Sequence, residues 1–118
     1  MPLYLCNSVP GVISDEAKAQ IAADITDAHC DITGTSRAFV HVFFFEDAPR
    51  YPINGKSVFI FGNIQRTGHM DLHETNLVNR IKASVAAHCG VLVNEIIAGT
   101  TDIPASWVME GGDVFTGS

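Results

Sequence analysis

The chain has 118 residues, one domain's worth of material, with 7 Lys and Arg against 13 Asp and Glu for a net charge of −6. A composition 47% hydrophobic excludes a disordered segment. Seven scattered cations exclude the clustered positive charge needed to grip nucleic acid or an anionic membrane surface. No apolar run approaches the roughly 20 residues of a membrane span. The opening Met-Pro-Leu-Tyr-Leu-Cys lacks both the basic and the apolar region of a secretory signal. Cys6, Cys30 and Cys89 are odd in number, far apart and without a C-x-x-C, so they read as reduced, buried thiols of a soluble cytoplasmic protein.

Along the chain, Pro2 to Cys6 is a short apolar strand, followed by the Pro10-Gly11 turn signal. Ser14 is an N-cap, with Asp15 and Glu16 in the first turn of the helix it starts. Ala17, Ile21, Ile25, Ala28 and Ile32 recur at helical spacing, and Gly34 is the stop. Phe39 to Phe45 is rich in aromatic and β-branched residues and reads as a strand. A loop follows at 47–56, with Asn54-Gly55 as its tightest turn signal. The plan then recurs. Ser57 to Phe61 is a strand, and Asp71 with Glu74 forms a capping-box-like helix start. Leu77, Ile81, Ser84, Val85 and His88 share a helical face, Gly90 closes the helix, and Glu95 to Gly99 is a last strand. The tripeptide Ala-His-Cys ends both helices, at 28–30 and 87–89, and supports a duplication.

The expected fold is therefore α+β: a duplicated β-α-β, giving a four-stranded mixed sheet with both helices on one face. It forms a single domain over 1–118, with pseudo-repeats about 2–46 and 57–100 and a C-terminal segment 101–118. The 39–45 strand is apolar on both sides, yet two helices cover one face of a sheet. Other copies of the chain are the simplest cover for the second, so a homo-oligomer is expected.

Pro2 carries the most chemical information. Removal of the initiator Met leaves a free prolyl amine at the start of a core strand. Burial disfavours its charged form and draws its pKa toward neutrality, where an amine serves as general base or acid. Other features are structural by default. His88 reads as a core histidine, and His41 either lines a pocket beside Pro2 or pairs with a buried neighbour. His69 and His73 stand four apart without a third ligand, so no metal is expected. Gly62 and Gly68, on either side of Arg66, read as shaping an anion-facing turn, and Trp107 as a packing anchor.

Pro2 opening a strand, a doubled β-α-β and this length together resemble the tautomerase superfamily, whose members use an N-terminal proline as catalytic acid or base. Within it, the chain is most similar to the cis-3-chloroacrylic acid dehalogenase group. Ile25-Thr26-Asp27-Ala28-His29 followed by Thr33-Gly34-Thr35 matches that group's first helix end. Phe61-Gly62 leading to Arg66, and Ile103-Pro104-Ala105 followed by Val108-Met109-Glu110, match two further segments. The likeness spans nearly the whole chain, with a short loop at 47–56 and a short C-terminus.

The resemblance implies roles for individual residues. Pro2 would transfer the proton, and Arg66 would hold a substrate carboxylate through its planar fork. His29, placed at the edge of the apolar stripe facing a cleft, would assist at the carboxylate end. Glu110 would align or deprotonate a water, and His41 and His69 would line the substrate site. His69 stands where the group has a second arginine, and Gly99 or Thr100 where it has a water-activating tyrosine. The resemblance thus implies a keto–enol tautomerase of small 2-keto, enol or unsaturated carboxylic acids, with weak cis-3-haloacrylate dehalogenase or hydratase activity. It implies a homotrimer with no cofactor. The rival reading is a non-catalytic trimeric binding or signalling protein of the same fold.

Overall fold

β1 (Leu3–Ser8) lies inside a four-stranded sheet of order β2-β1-β3-β4, although it is the first strand of the chain. β2 is His41–Phe45, β3 Val58–Gln65 and β4 Ile96–Ile103, with helix α1 at Asp15–Thr33 and α2 at Met70–Cys89. This computed structural model describes residues 3–46, 56–65, 70–103, 109–110 and 112–114. β1 pairs parallel with β2 and antiparallel with β3, and β3 pairs parallel with β4. Each half is a strand–helix–strand, and the two halves join back to back through β1 and β3.

The helices form where capping and periodicity place them. Ser14 Oγ accepts the Ala17 amide at 3.1 Å, satisfying one of the free donors of the first turn. Gly34 takes the left-handed conformation at φ 76° and donates its amide to the Cys30 carbonyl. Gly90 ends α2 in the same way, at φ 69°, donating to the Ala86 carbonyl. The expected capping box at Asp71 and Glu74 lies outside the described side chains. Ala17, Ile21, Ile25 and Ala28 of α1 meet Leu77, Ile81 and Val85 of α2 and Tyr4, Cys6, Val58, Ile60 and Ile96 of the sheet in one buried core. Both helices therefore lie on one face of the mixed sheet, as the doubled pattern implies.

The other face holds the alternate strand positions. Leu5, Phe43, Phe45, Phe59, Phe61 and Ile97 share it by register, and none belongs to the buried core. Phe43 is 51% exposed there.

Several strand limits differ from expectation, and β1 runs on to Ser8. β2 begins at His41, which pairs with Leu3, the first described residue of β1. Arg37–Phe39 instead forms a 3₁₀ turn that leaves Phe39 60% exposed. β3 and β4 run on together, past Phe61 and Gly99, to the pair Gln65↔Ile103. A short antiparallel pair, β5 (Met109–Glu110) and β6 (Asp113–Val114), adds a hairpin that no sequence pattern announced.

One number relates the halves. Gly34 and Gly90 stand 56 positions apart, as do the buried residues Ile21 and Leu77, Ile25 and Ile81, and His29 and Val85. The same step carries β1 into β3 and β2 into β4. The two Ala-His-Cys tripeptides are 59 apart and so fall three residues out of phase. The duplication is real, but the tripeptide is not its trace.

Candidate functional site

The sheet brings several chain segments to one edge. Leu3, the residue after Pro2, pairs with both His41 at the start of β2 and Asn63 near the end of β3. β3 runs on to Gln65, just before Arg66, and its partner Ile103 ends β4 just before Pro104. The described residues that flank Pro2, Arg66 and Pro104 thus share one end of the sheet with His41. Pro2, Arg66 and His69 themselves lie outside the described residues, as does the side chain of Glu110. The backbone of Glu110 closes β5, next to the turn in which Gly112 adopts φ 86°.

At that same end, His29 sits in the penultimate turn of α1 beneath β1. It is 2% exposed, so it does not face the open cleft edge expected from its place on the stripe. Helical phase accounts for this. Positions 21, 25, 28 and 29 all turn toward the sheet, and the histidine belongs to the buried arc. The Tyr4 hydroxyl lies 2.8 Å from His29 Nδ1, with the rings edge to face at 5.8 Å and 81°. The Thr33 hydroxyl donates to the His29 carbonyl at 2.7 Å and holds the last helical turn in place.

The electrostatics fix who donates. Burial, and then the neighbouring Cys30, push the Tyr4 phenol well above its ordinary range, so it keeps its proton. Burial, and then the positive N-terminus of the chain, lower the His29 pKa to about 4. A neutral imidazole facing a protonated phenol accepts at Nδ1, and its own proton then resides on Nε2.

Gly62 makes room for this pair. It lies opposite Tyr4 in the β1–β3 register, and a Cβ there would stand 2.5 Å from Tyr4 Cε1 and 2.8 Å from Cδ1. Gly62 is therefore a strand residue under an aromatic ring, not part of an anion-facing turn. Sequence reasoning passed over Tyr4 and gave Gly62 the wrong role. The available signal was a tyrosine in phase with core-facing Cys6, since a buried phenol demands a polar partner.

The remaining candidates separate clearly. His88 is not a core histidine: it is exposed, and its Nε2 lies 3.0 Å from Asp24 Oδ2. Ser84 Oγ donates to that same oxygen at 2.7 Å, so serine and histidine each bind the carboxylate and form no relay. His41 is exposed, which removes the buried pairing considered for it. Among the thiols, Cys6 is buried and its pKa is pushed up to about 12 by burial and then by Cys89. Cys30 and Cys89 are only half-buried. Gly99 and Thr100 are interior residues of β4. Among the described residues there is no cluster of three or more metal-ligating side chains, and no helix is long and apolar enough to cross a membrane.

Comparison with known proteins places the chain. No curated protein matches it. The solved structure of native Ps01740 is 28% identical with a TM-score of 0.76, over 92% of this chain and 99% of that one. N1, a member of the cis-3-chloroacrylic acid dehalogenase family, is 27% identical with a TM-score of 0.74, over 96% and 82%. A fused 4-OT solved as an asymmetric trimer is 20% identical with a TM-score of 0.77, over 95% and 94%, a likeness of fold alone. Residues 1–90 match the family model described as "Putative oxalocrotonate tautomerase enzyme". That match takes in β1, the Tyr4–His29 pair, β3 and all of α2, and the chain belongs to this tautomerase family.

Proposed function

We propose that the protein is a keto–enol tautomerase of small 2-keto, enol or unsaturated carboxylic acids, with Pro2, freed by removal of Met1, as its general base and acid. The observation that carries this reading is the shared sheet end, where the residues flanking Pro2, Arg66 and Pro104 adjoin His41. In the proposed cycle, neutral Pro2 takes the enol hydroxyl proton and the resulting ammonium returns a proton to carbon. Arg66 pairs with the carboxylate, an acceptor-only group suited to a guanidinium fork. His29, buried beneath β1 rather than at an open edge, assists at the carboxylate end from the floor of the pocket, and His41 and His69 line the site. Glu110 becomes useful when water must be directed, as in hydration. With His69 in place of a second arginine and no phenol at Gly99, dehalogenation of cis-3-haloacrylates is weak.

The apolar second face of the sheet supports an assembly of copies, and the trimeric state of the fused 4-OT points to a homotrimer. Replacing Pro2 with Ala is expected to lower kcat/KM for phenylenolpyruvate by at least ~100-fold, the usual size of a general acid–base contribution. Full turnover by that variant, or active protein with Met1 still attached by intact-mass spectrometry, refutes the reading. An NMR titration of the Pro2 nitrogen tests its charge state: a pKa near about 6 fits the base, and one near about 9 fits an acid.

A further inference from the structure

We propose that Tyr4, seated over Gly62, is a positioning residue that holds His29 with its proton on Nε2, so that His29 meets an anionic substrate as a hydrogen-bond donor. The inference deepens the tautomerase reading and rests on it for the substrate, a small carboxylate. Its geometry stands on the described residues alone: a buried phenol 2.8 Å from Nδ1, and a glycine whose missing side chain is the space the ring occupies.

The other half of the molecule shows that the fold does not require this pair. At the positions 56 residues on, Tyr4 becomes Ile60 and His29 becomes Val85, and both are fully buried in the same core. Aliphatic side chains therefore satisfy the packing at these places. A buried phenol and imidazole are harder to accommodate, because each must find its partner inside the core. Their presence in one half only, at the sheet end that adjoins Pro2, marks them as serving the site.

The chemistry follows from the tautomer. A carboxylate or enolate oxygen accepts hydrogen bonds and donates none. An imidazole free to exchange tautomers would present a lone pair to that oxygen part of the time. With Nδ1 engaged by Tyr4, Nε2 always presents its proton. His29 then keeps the same charge while Pro2 alone gains and loses a proton.

The test combines nitrogen NMR of histidine-labelled protein with kinetics on phenylenolpyruvate. At pH 7 the wild type is expected to show His29 protonated at Nε2 and bare at Nδ1, with the Nε2 signal shifting on addition of the non-reacting carboxylate 3-phenylpropanoate. Tyr4→Phe is expected to mix the tautomers and raise KM by roughly 10-fold, with kcat changed by less than about 2-fold, the scale of one misoriented hydrogen bond. Gly62→Ala, which displaces the ring, should mix the tautomers in the same way. In a His29→Asn background, Tyr4→Phe should add less than about 2-fold, since Tyr4 acts through His29.

A wild-type His29 protonated at Nδ1 overturns the inference without recourse to any variant. So does a Tyr4→Phe effect undiminished in the His29→Asn background, or an unchanged KM with scrambled tautomers. An intact Nε2 tautomer in Gly62→Ala overturns the seating. The two readings fail separately. Full turnover by Pro2→Ala sinks the tautomerase and leaves the NMR result to decide what Tyr4 does. An inactive Pro2→Ala beside an Nδ1-protonated His29 sinks only the role given to Tyr4.

Discussion

The two halves of this molecule place different chemistry at equivalent points. The first has Tyr4 and His29 where the second has Ile60 and Val85, all four buried. Each half caps its helix with a left-handed glycine, and each lays its strands parallel about that helix. The backbone plan is thus indifferent to whether a hydrogen-bonded pair or two aliphatic side chains fill the space. The difference teaches that a doubled fold can specialise one copy of a position while the other keeps to packing.

That contrast can be tested by stability as well as by turnover. The largest effect should be the pH dependence that His29 alone introduces. Its folded pKa of about 4 lies below the ordinary histidine value of 6.5, so the unfolded chain binds the proton more readily in between. Stability is then full above about pH 6.5, falls as the pH drops toward about 4, and levels off below. The loss is on the order of 3 kcal/mol. Urea midpoints at pH 7 and pH 5 should separate in the wild type, and this part of the separation should vanish in His29→Leu. Val85, its counterpart, has no proton to exchange.

Next comes Gly62→Ala, expected to cost about 2 kcal/mol because the added methyl meets a ring with no room to retreat. Gly99→Ala is the contrast: nothing within the chain lies within 4 Å of the added Cβ, so a fall in its thermal midpoint would report another copy packed on the second face. Smaller again is Tyr4→Phe, which leaves Nδ1 without its donor and should cost about 1–2 kcal/mol. Adding His29→Leu to it should restore most of that loss, since removing both partners leaves no unsatisfied group and recreates the aliphatic character of the second half. Failure to recover would show that the first half tolerates only the polar pair. The smallest effect belongs to the exposed His88–Asp24 contact. Asp24→Ala should change the denaturation midpoint by less than about 1 kcal/mol.

Periodicity and capping made the helices legible. Ser14, Gly34 and Gly90 mark backbone needs that hold whatever packs around them. Strand limits were less so, because they depend on more than propensity: Phe39 is a good strand former, yet it lies in the 3₁₀ turn that precedes β2. The histidines were the hardest. His29 and His88 sit in identical tripeptides, and only the three-residue slip against the 56-residue step separates a buried ring from a solvated one. Tyr4 was hidden for a related reason. Its meaning lies in Gly62 and His29, which come next to it only once β3 and α1 have folded onto β1.

The depth of Cys6 has a practical consequence for chemical labelling. A thiol held in its protonated form under the sheet reacts poorly with electrophiles, because the thiolate is the nucleophile. An alkynoate or similar acceptor therefore has little to gain from Cys6, and stray adducts would come from the half-buried Cys30 and Cys89. With those two replaced by Ser, mass spectrometry of a labelled sample reports adducts at amines and imidazoles, free of half-buried thiols.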